Sequence, residues 1–307
     1  VVTNSLASFT SNPATLSVII TADPGRLVNL SARAQVGTGG NVLIVGFVTG
    51  GAGTAGTEPI LIRGTGPALA PLGVPGVLPD PQLQFYGTNP DGSSLQLASN
   101  AGWAGNPQIS DVSLAVGAFP LTNPASLDSV LYRPAVASGA YTALISGVGN
   151  DTGVALAEVY DANPAGTYTV AASRLVNLSA RVQVGTGGNI LIAGFVIGGS
   201  SARTVLIRAS GPALVPFGVP GTLVDPLLQL FHTNADGSST LLAKNNAWGG
   251  NAQVASAAAS VGAFAWTSPS SADSALLITL PPGGYTAQVS GFSGDTGVAL
   301  VEVYEVP

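Results

Sequence analysis

The chain has 307 residues, and its charged residues are nine Lys or Arg and fifteen Asp or Glu. Charged residues make up 8% of the sequence, against about 25% in an ordinary soluble domain, while hydrophobic residues make up 46%. A soluble surface normally needs more charge to resist association, so we expect much of this surface to be covered by other molecules or hydrated through Ser, Thr, Asn and Gly.

Several classes of protein are excluded by the same composition. A net charge of −6 with a single lysine, Lys244, provides no basic stripe for nucleic acid. Gly, Ser and Asn interrupt every apolar run before it reaches the ~20 residues of a membrane helix, so no membrane insertion is expected. With no cysteine there are no disulfides and no thiol chemistry. The absence of Met and the start at Val1 indicate a processed or truncated product.

The first 25 residues form a separate segment. Their sequence, VVTNSLASFTSNPATLSVII followed by TADPG, resembles in its first twenty residues the last two strands of a bacterial immunoglobulin-like domain. An isolated pair of strands is marginally stable in water. Residues 1–25 are therefore predicted to be a strand extension that docks on the rest of the chain or is donated to a neighbouring subunit. The apolar residues expected at that interface are Leu16, Val18, Ile19 and Ile20.

An internal duplication organises the rest of the chain. Residues 26–51 read RLVNLSARAQVGTGGNVLIVGFVTGG, and residues 174–199 read RLVNLSARVQVGTGGNILIAGFVIGG, so 22 of 26 positions are identical. Each copy also ends on the same strand pattern, DTGVALAEVYD in the first and DTGVALVEVYE in the second. The sequence therefore predicts two domains, repeat 1 at 26–161 and repeat 2 at 174–307, with a linker at 162–173.

Within each repeat the local patterns indicate β-structure. Short runs rich in Val, Ile, Leu and Tyr are bounded by Gly, Pro, Asn and Asp, and NPDG and NADG are typical hairpin turns. Short helices are expected near 67–72, 109–119 and 254–264. About eight strands per repeat predict an all-β protein with two tandem antiparallel β-sandwich or jelly-roll domains.

Two longer patterns carry a resemblance to a known family. The run DPQLQFYGTNPDGSSLQLASNAGW, followed by LDSVLYRP and SGAYTALISGVGNDTGVALAEVY, is similar to the pre-peptidase C-terminal type of β-sandwich and to repeats of large exported bacterial proteins. The resemblance implies a sandwich fold and an extracellular or cell-surface location. Some pre-peptidase domains carry an acidic cluster where this chain has 99–101 and 245–247, which contain no acid.

The charged residues occupy matched positions in the two repeats, as nine equivalent pairs that account for eighteen residues. One interpretation is a pair of carboxylates that act as acid and base, as in glycosidases. The interpretation we favour is a set of ion pairs and turn caps that stabilise the sandwich. The residues assigned to structural ion pairs are Arg33, Arg63, Glu158, Arg181, Arg208 and Glu302.

Oxygen-bearing turns are the remaining candidates for a cofactor site. The turn with Asn89, Asp91 and Ser93, or the turn with Asp151 and Thr152, could supply oxygens to Ca²⁺. A tight turn needs the same residue types, and neither turn offers more than one carboxylate. No cofactor is therefore expected, with Ca²⁺ as the alternative left open.

The sequence supports two functions. The first is a structural subunit of an extracellular filament or surface assembly, which polymerises non-covalently with copies of itself, since large interfaces explain the low charge. The alternative is a carbohydrate-binding or adhesion module of a larger secreted protein, which would bind cell-surface polysaccharide through Trp266, a tryptophan that repeat 1 lacks. An enzyme is not expected, because His232 is the only histidine and no G-x-S-x-G motif accompanies it.

Overall fold

A computed structural model describes residues 23–307, together with two short paired strands, β1 (Val2–Thr3) and β2 (Ser8–Phe9). The predicted interface residues of the N-terminal extension, Leu16, Val18, Ile19 and Ile20, lie outside the described residues.

Each repeat forms eight strands and one short α-helix, which confirms the predicted all-β fold. Repeat 1 contains β3 (Arg26–Val36), β4 (Leu43–Gly50), β5 (Thr57–Thr65), β6 (Pro81–Thr88), β7 (Ser94–Asn100), α1 (Pro107–Ala115), β8 (Ser129–Ala137), β9 (Gly139–Gly147) and β10 (Gly153–Asp161). Repeat 2 contains β11 (Arg174–Val184), β12 (Leu191–Gly198), β13 (Arg203–Ser210), β14 (Pro226–Thr233), β15 (Ser239–Asn245), α2 (Ala252–Ser260), β16 (Ser274–Leu280), β17 (Gly283–Gly291) and β18 (Gly297–Glu305).

Local sequence explains these elements. Strand β17 alternates as expected, with Tyr285, Ala287 and Val289 buried on one face. The turn between β6 and β7 places Gly92 at φ 82°, a left-handed conformation that favours glycine. Helix α1 begins at an N-cap, where the side chain of Asn106 accepts a hydrogen bond from a backbone N–H of the first turn.

The first strand of each repeat pairs with the second strand of the other repeat. Strand β3 lies between β10 of its own repeat and β12 of repeat 2, so that Leu30 is opposite both Val159 and Phe195. Strand β11 lies in the same way between β18 and β4. Gly194 of β12 permits this approach, because a Cβ atom there would lie 2.7 Å from Oγ of Ser31 on β3.

This exchange creates two antiparallel paths of eight strands, each built from both repeats. Path A runs β7-β6-β9-β4-β11-β18-β13-β16, and path B runs β15-β14-β17-β12-β3-β10-β5-β8. The paths touch through β3 and β11, where Leu27 is opposite Leu175. One hydrophobic core contains buried residues of both repeats, among them Leu30, Phe47 and Phe195. The division into two independent domains therefore stays a prediction, while the core itself is shared.

Two smaller apolar clusters lie outside the shared core, one in each repeat. Each is covered by the short helix of its repeat, with Trp103 and Ile109 in the first and Trp248 and Val254 in the second. These clusters lie beside two buried arginines, Arg63 on β5 and Arg208 on β13.

Candidate functional site

A buried cluster of polar side chains lies in the middle of repeat 1. Arg63 on β5 is directly opposite Glu158 on β10, and both side chains are almost fully buried. The Arg63 Nε atom lies 3.1 Å from Oε2 of Glu158, and the Tyr160 hydroxyl donates a 2.6 Å hydrogen bond to Oε1 of the same carboxyl group. Arg63 also donates from Nη1 to the carbonyl oxygen of Phe119 at 2.9 Å and lies over that ring.

Burial controls the ionisation of this cluster. Burial raises the pKa of Glu158, and the facing Arg63 guanidinium lowers it in part. Burial and the neighbouring Glu158 likewise raise the pKa of Tyr160, so its hydroxyl stays a hydrogen-bond donor. The cluster therefore fits a structural ion pair, which orients β5 on β10, better than a proton-transfer site open to a substrate.

Repeat 2 carries the same cluster with one difference. Arg208 lies opposite Glu302, with Nε 3.5 Å from Oε2, and Tyr304 donates to the same carboxyl group at 2.6 Å. Here the guanidinium carbon lies over two rings, 4.4 Å from the centroid of Phe264 and 4.3 Å from the centroid of Trp266. Arg208 Nη1 and Nη2 have no hydrogen-bond partner in the part of the chain that the structure describes.

Trp266 is half-buried in this cluster. Its ring packs edge-to-face on Trp248 at 5.6 Å, and its Nε1 donates to Oγ of Ser210. A cavity of about 100 Å³ lies beside Trp266 and is also lined by Arg208 and Phe264. The predicted role of Trp266 as a ligand platform stays a prediction, but its face is turned to this cavity and to Arg208 rather than freely exposed.

Arg33 and Arg181 differ from the sequence prediction of structural ion pairs. Neither makes an ion pair with any residue that the structure describes. The physical reason is strand alternation: Arg33 lies between the buried Ala32 and Ala34 on β3, so its side chain is on the half-exposed outer face.

A second charged cluster, which the sequence did not predict, lies at the ends of β5 and β10. Glu58 is fully buried, and Asn163 donates hydrogen bonds from Nδ2 to Glu58 Oε1 at 3.1 Å and to Asp161 Oδ1 at 2.9 Å. Burial, and then the nearby Asp161, raises the pKa of Glu58 to about 9. Two carboxyl groups are thus held together with one of them protonated at neutral pH.

Repeat 1 has one ion pair here, with Arg26 Nε 3.9 Å from Oδ2 of Asp161, and repeat 2 has two ion pairs in place of the acid pair. The residue equivalent to Glu58 is Arg203, whose Nη2 lies 3.1 Å from Oε2 of Glu305, and Arg174 Nε lies 2.9 Å from the same oxygen. In the sequence, this second cluster is visible as a reversal of charge at one equivalent position, from Glu58 in repeat 1 to Arg203 in repeat 2.

The remaining polar candidates serve turns. Asp91 Oδ1 accepts hydrogen bonds from N and Oγ of Ser93, and these bonds lower the pKa of Asp91. No group of three or more potential metal ligands lies within the described residues. His232 contacts Asn234 at 3.1 Å and packs on the ring of Tyr285.

The ends of the two strand paths form the other candidate site. Path A ends at β7 and β16, whose sequences SLQLASN and SALLITL contain no charged residue and no proline. Path B ends at β15, which contains Lys244, and at β8, which contains Arg133 and Pro134. Charges and prolines at sheet edges protect against pairing with another chain, so path A has unprotected edges and path B has protected ones.

No protein-family model matches the sequence, and the comparison with curated proteins gave no significant match. Among solved structures, the chain is similar to PNGase F, a glycosylasparaginase from Flavobacterium meningosepticum, at 10% identity and a TM-score of 0.23, over 92% of this chain and 96% of that one. A DUF4785 family protein from Legionella pneumophila matches at 8% identity and a TM-score of 0.21, over 96% of this chain and 88% of that one. Both TM-scores are too low for either likeness to carry an argument.

Among the described residues, no helix has the length and apolar character to cross a membrane.

Proposed function

We propose that the protein is a non-catalytic structural subunit of an extracellular filament or surface assembly, which forms by non-covalent, head-to-tail association of identical chains. The observation that carries the proposal is the pair of unprotected edges on path A. Because β7 belongs to repeat 1 and β16 to repeat 2, pairing of β7 with β16 of the next chain joins two different surfaces. Contacts between different surfaces generate filaments when they do not close into rings.

The side chains at these edges are apolar and exposed. Leu95 and Leu97 on β7 are 54% and 40% exposed, and Leu277 on β16 is 36% exposed. The Ala275 N–H at the start of β16 already donates to the Asn245 side chain. Strand addition would pair the remaining outward backbone groups of each edge and remove these leucines from water. With only 8% of its residues charged, the rest of the chain offers little repulsion against a second copy.

The two repeats differ at equivalent positions of their edge strands. Strand β8 of repeat 1 has Arg133 and Pro134 where β16 of repeat 2 has Ile278 and Thr279. The two strands are equivalent in the repeats, but the β8 edge carries a charge and a proline and the β16 edge carries neither. This asymmetry favours a single direction of growth over indiscriminate pairing.

Electron microscopy of the purified protein tests the proposal. We expect fibres or linear oligomers whose length increases with protein concentration. Monodisperse single particles at the highest soluble concentration would contradict it. A deletion of residues 1–22, which keeps the contacts of Asp23 with Ser200, distinguishes donation of the N-terminal extension from pairing of β7 with β16. Monomers after deletion indicate donation, and unchanged fibres indicate edge-to-edge pairing.

A further inference from the structure

The guanidinium of Arg208 is a buried cation with free hydrogen-bonding capacity. Its side chain is 1% exposed, and Nη1 and Nη2 make no hydrogen bond with the described residues. Buried donors are normally paired with protein or water acceptors, since an unpaired one is costly in a low-dielectric interior. An acceptor from outside the described residues is therefore expected beside Arg208.

The cavity beside Trp266 provides room for such an acceptor. Its volume of about 100 Å³ exceeds the ~10–15 Å³ that a cavity needs, on the same measure, to hold one water molecule. The deep end is formed by Arg208, Trp248 and Val254, while Ala255 and Ala259 of α2 are exposed at the outer end. The cavity thus leads from the surface at α2 to the buried cation.

The equivalent arginine of repeat 1 has different surroundings. There Arg63 donates from Nη1 to the Phe119 carbonyl, and Leu121 stands where repeat 2 has Trp266. Helix α2 is also built from smaller residues than α1, with Ala257 in place of Val112. Nη2 has no hydrogen-bond partner among the described residues in either repeat, so repeat 2 differs in its unpartnered Nη1 and in the aromatic wall that Trp266 provides.

We propose that this cavity binds a small organic carboxylate with a short apolar chain. A guanidinium with two free N–H groups matches the two oxygens of a carboxylate. The aromatic and alanine side chains around the cavity match an apolar chain. Arg208 Cζ lies over the face of Trp266, 4.3 Å from the ring centroid, and the N–H groups of a planar guanidinium point outward at its edge, where a carboxylate can accept from both Nη1 and Nη2.

Propionate is the probe, and the three indole N–H signals of the full-length protein in a ¹H–¹⁵N NMR spectrum are the readout. We expect saturable shifts of the Trp248 and Trp266 signals with a Kd in the millimolar range, because a ligand of few atoms buries little surface. Trp103, the counterpart of Trp248 in repeat 1, should not move. Propionamide, which has the same shape without the charge, should bind with at most a tenth of the affinity of propionate.

Two variants on α2 locate the binding. Ala258→Leu places a larger side chain in the cavity and should weaken propionate binding at least about tenfold. Ser256→Leu adds the same bulk on the same helix outside the cavity lining and should leave binding unchanged. The proposal is overturned if propionate moves no signal, if chloride at equal ionic strength produces the same shifts, or if Ala258→Leu binds as the unmodified chain does.

Discussion

At the scale of single residues, the matched charges of the two repeats have unequal roles. The sequence assigned Arg63, Arg208, Glu158 and Glu302 to structural ion pairs without naming their partners. In the structure Arg63 lies 3.1 Å from Glu158 and Arg208 lies 3.5 Å from Glu302, on strands with both faces largely buried, where a charged residue must find a partner. Arg33, assigned to the same set, makes no ion pair with the described residues, because duplication preserves surface and buried charges alike and does not distinguish them.

The buried pair gives a prediction for stability. Glu158→Ala leaves the Arg63 guanidinium buried without its carboxylate partner, and such a loss typically destabilises a protein by about 3–5 kcal/mol. Arg33→Ala removes a half-exposed charge that makes no ion pair with the described residues, so we expect a change of about 0.5 kcal/mol or less. Urea denaturation at neutral pH measures both. Equal losses in the two variants would argue against the assigned role of Arg63 and Glu158.

Glu58 gives a prediction for pH dependence. Its pKa of about 9 in the folded chain lies above the value of 4.5 in the unfolded chain. Between these values the unfolded state loses the proton and the folded state keeps it, so stability falls as the pH rises from about 4.5 to 9, by at most about 1.4 kcal/mol per pH unit.

Glu58→Gln removes this titration while it keeps the shape of the side chain. We expect the variant to unfold at a higher temperature than the unmodified chain at pH 8, and to show no such gain at pH 4.5. Thermal unfolding at the two pH values measures the difference. A variant with the same gain at both values would show that the effect comes from packing and not from ionisation.

At the scale of elements, the sequence predicted more than it did for single residues. The turn residues and period-2 alternation that predicted about eight strands per repeat are local features, and each is visible in a window of ten residues. The edges were not predicted, because a strand becomes an edge only through its place in the sheet. The same pattern that reads SALLITL could equally lie in the middle of a sheet.

Edge pairing predicts that one charge blocks assembly. Thr279 is exposed on β16, the open edge of repeat 2, and Thr279→Lys should reduce fibre formation at least about tenfold because a lysine would oppose an approaching strand. Ala135→Lys places the same charge on the exposed part of β8, an edge that Arg133 and Pro134 already protect. We expect this control to assemble normally. Light scattering during concentration compares the two, and equal inhibition would move the contact away from β16.

At the scale of the whole molecule, the exchange of strands between repeats could not be read from the sequence. Strands β4 and β12 read LIVGFVTG and LIAGFVIG, so β3 meets almost the same side chains whether it pairs with its own neighbour or with the other repeat. Side-chain complementarity therefore favours neither pairing. The exchange becomes visible only in the folded molecule, where one core contains buried residues of both repeats.

The exchange predicts that the two halves of the chain depend on each other. We expect residues 1–166 and 167–307, produced as separate chains in one cell, to purify as a 1:1 complex, because β3 must pair with β12 and β11 with β4. The cut after Gly166 lies in an exposed stretch of the linker, where it breaks no strand.

Gly194→Val disturbs the exchanged contact, because a Cβ atom at Gly194 would lie 2.7 Å from Oγ of Ser31 on β3 and would displace that hydroxyl. Gly188→Val lies in open space in the preceding turn and is the control. Size-exclusion chromatography with mass measurement should show the complex for the unmodified halves and the control, and a smaller fraction of complex for Gly194→Val. Two stable monomeric halves without affinity for each other would instead show that each repeat closes on its own second strand.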